Sequence, residues 1–251
     1  MASIIKPLRL LIVAVLAEIS IGSMQNQSAA WADSALVFVP PKGSAPKVTR
    51  GAASRGDLLC TQNPTEPIRQ MVSLIPAGFS PNLTIAERPS FFVHIPQTSA
   101  RTAFFSLKDE IGQRSYHTTV TLPAQSGVIR IELPDTVAPL VVGQSYQWGL
   151  AVLCAGKLRP DSPMINGWVQ RTALEPKLAT QLQSASAMER VVLYGSHGIW
   201  YDMVTALAQL RQQRPHDQDL ASAWKQILKS VGLEAVSSAT LISQPLTHSS
   251  P

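Results

Sequence analysis

Cysteine is scarce: the chain holds two, Cys60 and Cys154. Two thiolates make neither a four-cysteine zinc site nor the usual ligand set of an iron–sulfur cluster. No apolar run, that of 10–17 near the N-terminus included, reaches the ~20 residues needed to cross a bilayer as a helix. Charged residues make up 15% of the chain and leave a net charge of +5. That excess is mild and dispersed, and it gives no footprint for nucleic acid. HExxH, CxxC, Gly-x-Ser-x-Gly, the phosphate-binding GxxxxGK[ST] loop and GxGxxG after a strand are all missing. These absences remove the motif-bearing metal, serine-hydrolase and nucleotide-binding classes. The 251 residues, 45% of them hydrophobic, suffice for one large globular domain or two small ones.

The first 32 residues read as an address. Lys6 and Arg9 precede the apolar run 10–17, and Ala30-Trp31-Ala32 has the small-x-small pattern of a cleavage site. A secretory signal peptide is expected over 1–32, with mature residue one at or near Asp33 and no membrane span after cleavage; an uncleaved anchor is the alternative. The protein is then exported, periplasmic or secreted. In an oxidising compartment Cys60 and Cys154 read as one disulfide, with two buried thiols as the alternative. Closing a loop of about 90 residues would be worth at most about 4–5 kcal/mol in the chain-entropy relation.

Residues 33–57 are rich in Pro, Gly, Ser and Ala. They carry Lys42, Lys47, Arg50 and Arg55, and read as a basic linker. Across 58–173, period-two runs at 83–85, 91–95, 101–108, 116–122, 129–133, 146–154 and 165–171 alternate with Pro and Gly turns. This spacing predicts an antiparallel β-sandwich, immunoglobulin-like in architecture only, because Val152 stands where that pattern puts a tyrosine. The alternation puts Cys154 on the face of Trp148.

After Pro176 the period becomes helical. Leu178 and Leu182 open one helix. Ser186-Ala187-Met188-Glu189 is a capping box for a second, which Gly195 can end. Stripes from Trp200 to Leu210 and from Leu220 to Val231 complete a helical hairpin region at 174–233. Tyr194, Gly198 and Pro215 stand at tetratricopeptide positions, so the hairpin is expected to be tetratricopeptide-like. An ordinary hairpin fits as well, since one unit falls short of an array. Residues 234–251, rich in Ser and Thr, read as a flexible tail. The fold class is therefore mixed and mainly β.

Several separated motifs carry a resemblance. They are Phe38-Val39-Pro40-Pro41, Glu87-Arg88-Pro89-Ser90-Phe91-Phe92, Ile95-Pro96-Gln97-Thr98-Ser99-Ala100, Gly167-Trp168-Val169-Gln170-Arg171 and Gly198-Ile199-Trp200-Tyr201-Asp202. In this order they resemble a cyanobacterial exported family, the domain of unknown function 928, from about Leu36 to Leu233. The resemblance implies an envelope or secreted location and supplies no reaction, substrate or cofactor. Met203 stands where a small residue is expected.

No catalytic set assembles. His94, His117, His197, His216 and His248 are never three to five apart, and Gly195-Ser196-His197-Gly198 puts its histidine directly after the serine. No metal ligand or cofactor is assigned. Trp148 and Trp224 fall on core faces. Trp200 and Tyr201 are consecutive, so at most one is expected to face fully inward, leaving Tyr201 or Trp168 for a groove between sheets and helices. Trp168, Trp200 and Tyr201 are the candidate binding residues. The leading expectation is an exported, non-enzymatic binding or interaction module of the cell envelope, its partner a protein or an envelope component. An envelope hydrolase or carbohydrate-active enzyme with a dispersed site is the first alternative, and a structural envelope component is the second.

Overall fold

A computed structural model describes residues 36–41, 70–78, 81–160 and 162–242, and the backbone of 248–249. The expected signal segment, Cys60 and most of the expected linker lie outside these residues. Among the described residues, nine strands and four α-helices follow in chain order: β1 Val72–Ser73, β2 Asn82–Thr84, β3 Phe91–Ile95, β4 Thr102–Asp109, β5 Ser115–Thr121, β6 Gly127–Ile131, β7 Ser145–Val152, β8 Met164–Arg171, α1 Pro176–Ser184, α2 Ala187–Ser196, α3 Trp200–Gln213, α4 Gln218–Ser230 and β9 His248–Ser249.

All seven runs expected from alternation form strands, β2 to β8. They divide into two sheets. One has the order β1-β3-β6; the other runs β2-β8-β7-β4-β5 and is extended at its edge by β9. Pairing is antiparallel except between β2 and β8, which run parallel, with Asn82 opposite Val169. Alternation marks a strand but not its neighbour. The chain leaves β2 through Pro89 for the other sheet, so β2 has no hairpin partner of its own.

The sheets meet in a sandwich-like way through large inward side chains. The Phe91 ring of β3 lies 5.3 Å from Phe105 of β4 and 5.3 Å from Trp148 of β7. All three are fully buried. Burial of this kind contributes roughly 1.5–3 kcal/mol per large apolar side chain. Gly167 of β8 lies opposite Trp148, and a Cβ there would come within 2.8 Å of the indole. Glycine is what lets the ring lie across β8. Cys154 does not continue the β7 face: the strand ends at Val152, and Cys154 opens a 3-10 turn with its side chain partly exposed.

The capping box forms as expected. Ser186 Oγ accepts from the Glu189 N–H at 3.3 Å and Glu189 Oε2 accepts from the Ser186 N–H at 2.6 Å. Asp217 caps α4 through the N–H groups of Asp219 and Leu220. Gly195 does not end α2. It lies inside the last turn, and a Cβ there would fall 2.7 Å from the Val37 carbonyl and 3.0 Å from the Met203 sulfur. The turn is made at Gly198, whose φ of +71° is one that glycine adopts without penalty. Met203 is buried against the bare backbone of Gly195, so a long side chain is accommodated where a small one was expected.

Two segments expected to be loose are packed where they are described. Within the linker stretch, 36–41 runs as an extended strap over the helices. Leu36 and Phe38 are buried, and the Val39 N–H donates to the Gly195 carbonyl at 3.0 Å. Within the tail, Val236 and Ile242 are buried. Val128 of β6 donates to the Thr240 carbonyl at 2.8 Å and accepts from Ile242 at 2.9 Å, so the tail sheathes the open edge of β6. The strap, both sheets, the helices and the tail belong to one compact unit, 34–251.

Candidate functional site

The turn from β2 into β3 crosses the first turn of α3, and three side chains of that helix divide the work. Trp200 Nε1 donates to the Leu74 carbonyl at 2.7 Å, and Phe38 of the strap meets its ring edge-on at 4.9 Å. The Tyr201 hydroxyl accepts from Trp148 Nε1 at 2.8 Å and donates to the Trp168 carbonyl at 3.1 Å. Asp202 Oδ2 accepts from Thr84 Oγ1 at 2.7 Å and from the Ile85 N–H at 3.1 Å.

Trp200 and Tyr201 are thus both buried, against the expectation that only one faces inward. A helix with a single covered face would expose one of two consecutive side chains. Here α3 is covered twice, by the sheets on the Tyr201 side and by the strap and β1 region on the Trp200 side. Trp168 stays part-exposed, and its carbonyl rather than its indole meets Tyr201.

A cavity of about 190 Å³ opens between the 84–90 turn and α3. Its walls include Thr84, Arg88, Arg130, Tyr194, Tyr201 and Asp202. Of the three residues expected in a groove, it takes Tyr201 alone. Arg88, Arg130, Tyr194 and Asp202 escaped the sequence reading, although Arg88 and Asp202 stand inside two of the motifs quoted above.

The electrostatics follow from burial. Desolvation pushes the Asp202 carboxyl up to about 6, against the opposing hydrogen bonds from Thr84 and Ile85. Burial raises the Tyr201 hydroxyl, with the Trp148 N–H opposing. Tyr194 is raised too, first by burial and then by the Asp202 charge. Two guanidiniums stand on the other wall. Arg88 is spent on structure: its Nε donates to the Val137 carbonyl at 2.8 Å and its Nη2 to the Asp135 carbonyl at 3.0 Å. Arg130 donates through Nε to Ser90 Oγ at 3.0 Å and pairs through Nη2 with Glu132 at 2.6 Å. The cavity therefore offers acceptors at Asp202, hydroxyls at Tyr194 and Tyr201, and donors at Arg130. Room for about six waters, at ~30 Å³ each, sets the scale of an occupant.

Three of the histidines set aside in the sequence lie apart from one another. His94 is buried, with Ser126 Oγ 3.4 Å from its Nε2. His117 stacks on Phe104 at the surface. His197 sits in the exposed helix turn beside Ser196. Among the described residues no three His, Cys, Asp or Glu side chains gather in a way that could hold a metal ion, and no helix is long and apolar enough to cross a membrane.

No curated protein matches the chain. The family model of the domain of unknown function 928 matches residues 50–241, which take in strands β1 to β8, all four α-helices and the whole cavity. With most of its length matched, the chain belongs to the family of the domain of unknown function 928.

Proposed function

We propose that the protein is an exported, non-enzymatic binding module of the cell envelope and that the cavity beside α3 is its ligand site. One observation carries the reading: a carboxylate, Asp202, is set into a mixed-charge cavity between two tyrosines and Arg130, where desolvation disfavours its charge. Buried groups of this kind are costly to a fold and cluster at functional sites. A small hydroxylated molecule fits, since it donates to Asp202, accepts from Arg130 and lies against the tyrosine rings. The hydrolase reading has less support, because Asp202 is the sole carboxylate among the lining residues and a glycosidase works with two.

The exported, cyanobacterial origin rests on the N-terminal signal pattern and the motif resemblance. The Cys60–Cys154 disulfide belongs to the same reading, supported by Cys154 not being a free cysteine. The finer fold reading, an antiparallel β-sandwich bearing a tetratricopeptide-like hairpin, is supported by the ring contacts between the sheets and by the turn at Gly198 between α2 and α3.

The test is capture. Immobilised mature protein is incubated with envelope extract of its host, and retained small molecules are identified by mass spectrometry. A compound held by the wild type and lost in Ala206→Trp, which fills the cavity from α3, supports the reading. Equal retention by both proteins, or turnover of the captured compound, overturns it.

A further inference from the structure

A second cavity, of about 400 Å³, lies between the β4–β5 hairpin and the loop that follows β6. We infer that it is a separate binding site for a small amphipathic carboxylate, an apolar tail with one anionic head. Its volume falls in the range of small-molecule sites, ~300–1,000 Å³.

The inference rests on a gradient of polarity from floor to rim. Leu107, Leu140 and Tyr146 make a buried floor, each no more than 3% exposed. Ala138 and Pro139 add an apolar wall that stands open to solvent. Arg114 lies at the rim, exposed, and its guanidinium makes no hydrogen bond or ion pair with the described residues. The lining contains no carboxylate. The nearest one in the strand, Asp109, is buried, and its Oδ2 accepts the Arg114 N–H at 3.1 Å, which fixes the hairpin end that carries the arginine. A tail that reaches the floor leaves its head at the rim, within the reach of the one cation there.

The wall is also built in advance. Arg88 holds the carbonyls of Asp135 and Val137, and Arg171 Nη1 holds the Leu140 carbonyl at 2.7 Å. The Leu140 N–H donates to the Glu87 carbonyl at 2.9 Å, and the Val141 N–H to the Tyr146 hydroxyl at 3.0 Å. A loop tied at five points between 135 and 141 cannot collapse onto the floor, so the space stays open without an occupant. Preorganisation of this kind lowers the ordering cost of binding.

The test uses three probes of one tail length: octanoate, octan-1-ol and octyltrimethylammonium, titrated calorimetrically into the full mature chain. Octanoate is expected to saturate a single site, octan-1-ol to bind about tenfold more weakly, and the cation not to bind. Arg114→Ala, an exposed change, should bring octanoate down to the level of the alcohol. Ala138→Trp should abolish binding while circular dichroism and the melting temperature stay unchanged. Absence of saturable octanoate binding, indifference to the head group, or full octanoate affinity in Arg114→Ala overturns the inference. Ala206→Trp, in the other cavity, should leave octanoate binding intact, so the two sites fail or stand separately.

Discussion

The indole N–H of Trp148, in the core between the sheets, donates to the hydroxyl of Tyr201, in the first turn of α3, at 2.8 Å. Both side chains are almost wholly buried, and the hydroxyl in turn donates a hydrogen bond to the Trp168 carbonyl. This relay ties the helices to the centre of the larger sheet. Tyr201→Phe removes the acceptor of the buried Trp148 N–H while keeping the ring. The expected loss is about 1–3 kcal/mol in urea unfolding. A loss under ~0.5 kcal/mol would mean that the relay contributes nothing.

Gly195→Ala opposes two effects at one position. Alanine favours an exposed helix by up to about 1 kcal/mol over glycine. Here its Cβ would sit 2.7 Å from the Val37 carbonyl, a backbone atom that cannot simply rotate away. The clash is expected to win: the variant should be less stable, and the 36–41 strap should be cleaved faster in limited proteolysis. A stabilised variant with an unchanged digestion pattern would refute the contact.

Asp202 makes stability depend on pH with a definite sign. Its folded value, about 6, lies above its ordinary value of 3.8. The folded state therefore holds a proton that the unfolded chain has released, and this contribution to stability is lost as pH rises from about 4 to about 6. Asp202→Asn cannot titrate. Relative to wild type it should gain ground between pH 4 and pH 6, by at most about 3 kcal/mol, and hold level above. Denaturant titrations of both proteins at half-unit intervals would show it, and a constant gap would contradict it.

The expected disulfide is checked on protein taken from its own host. Intact mass after alkylation should show no added reagent until reduction, and then two additions. Cys154→Ser should cost about 2–5 kcal/mol. Alkylation of both sulfurs without reduction would rule the bond out.

Seven strands, the capping box and the core faces of Trp148 and Trp224 were legible because each is written in a local period or a spacing of three residues. Partner choice was not. Nothing in the three residues of β2 says that they run parallel to β8, and nothing in Leu36 and Phe38 says that their alternation is satisfied by helices rather than a sheet. The cavity was half legible. The motifs quoted for the family resemblance prove to be one another's partners. Asp202 of one reaches the turn just before another, Arg171 of a third pairs with Glu87 at 3.2 Å, and Trp168 receives Tyr201. Arg130 and Tyr194 were missed because their role depends on contacts across dozens of residues, which periodicity does not encode.

The sheathing of β6 by residues 240–242 bears on how the molecule is made. The border of the smaller sheet waits for residues that come after all four α-helices, so it stays open until the helices have been made. A substitution at Thr240 or Ile242 would therefore burden the segment that finishes the fold.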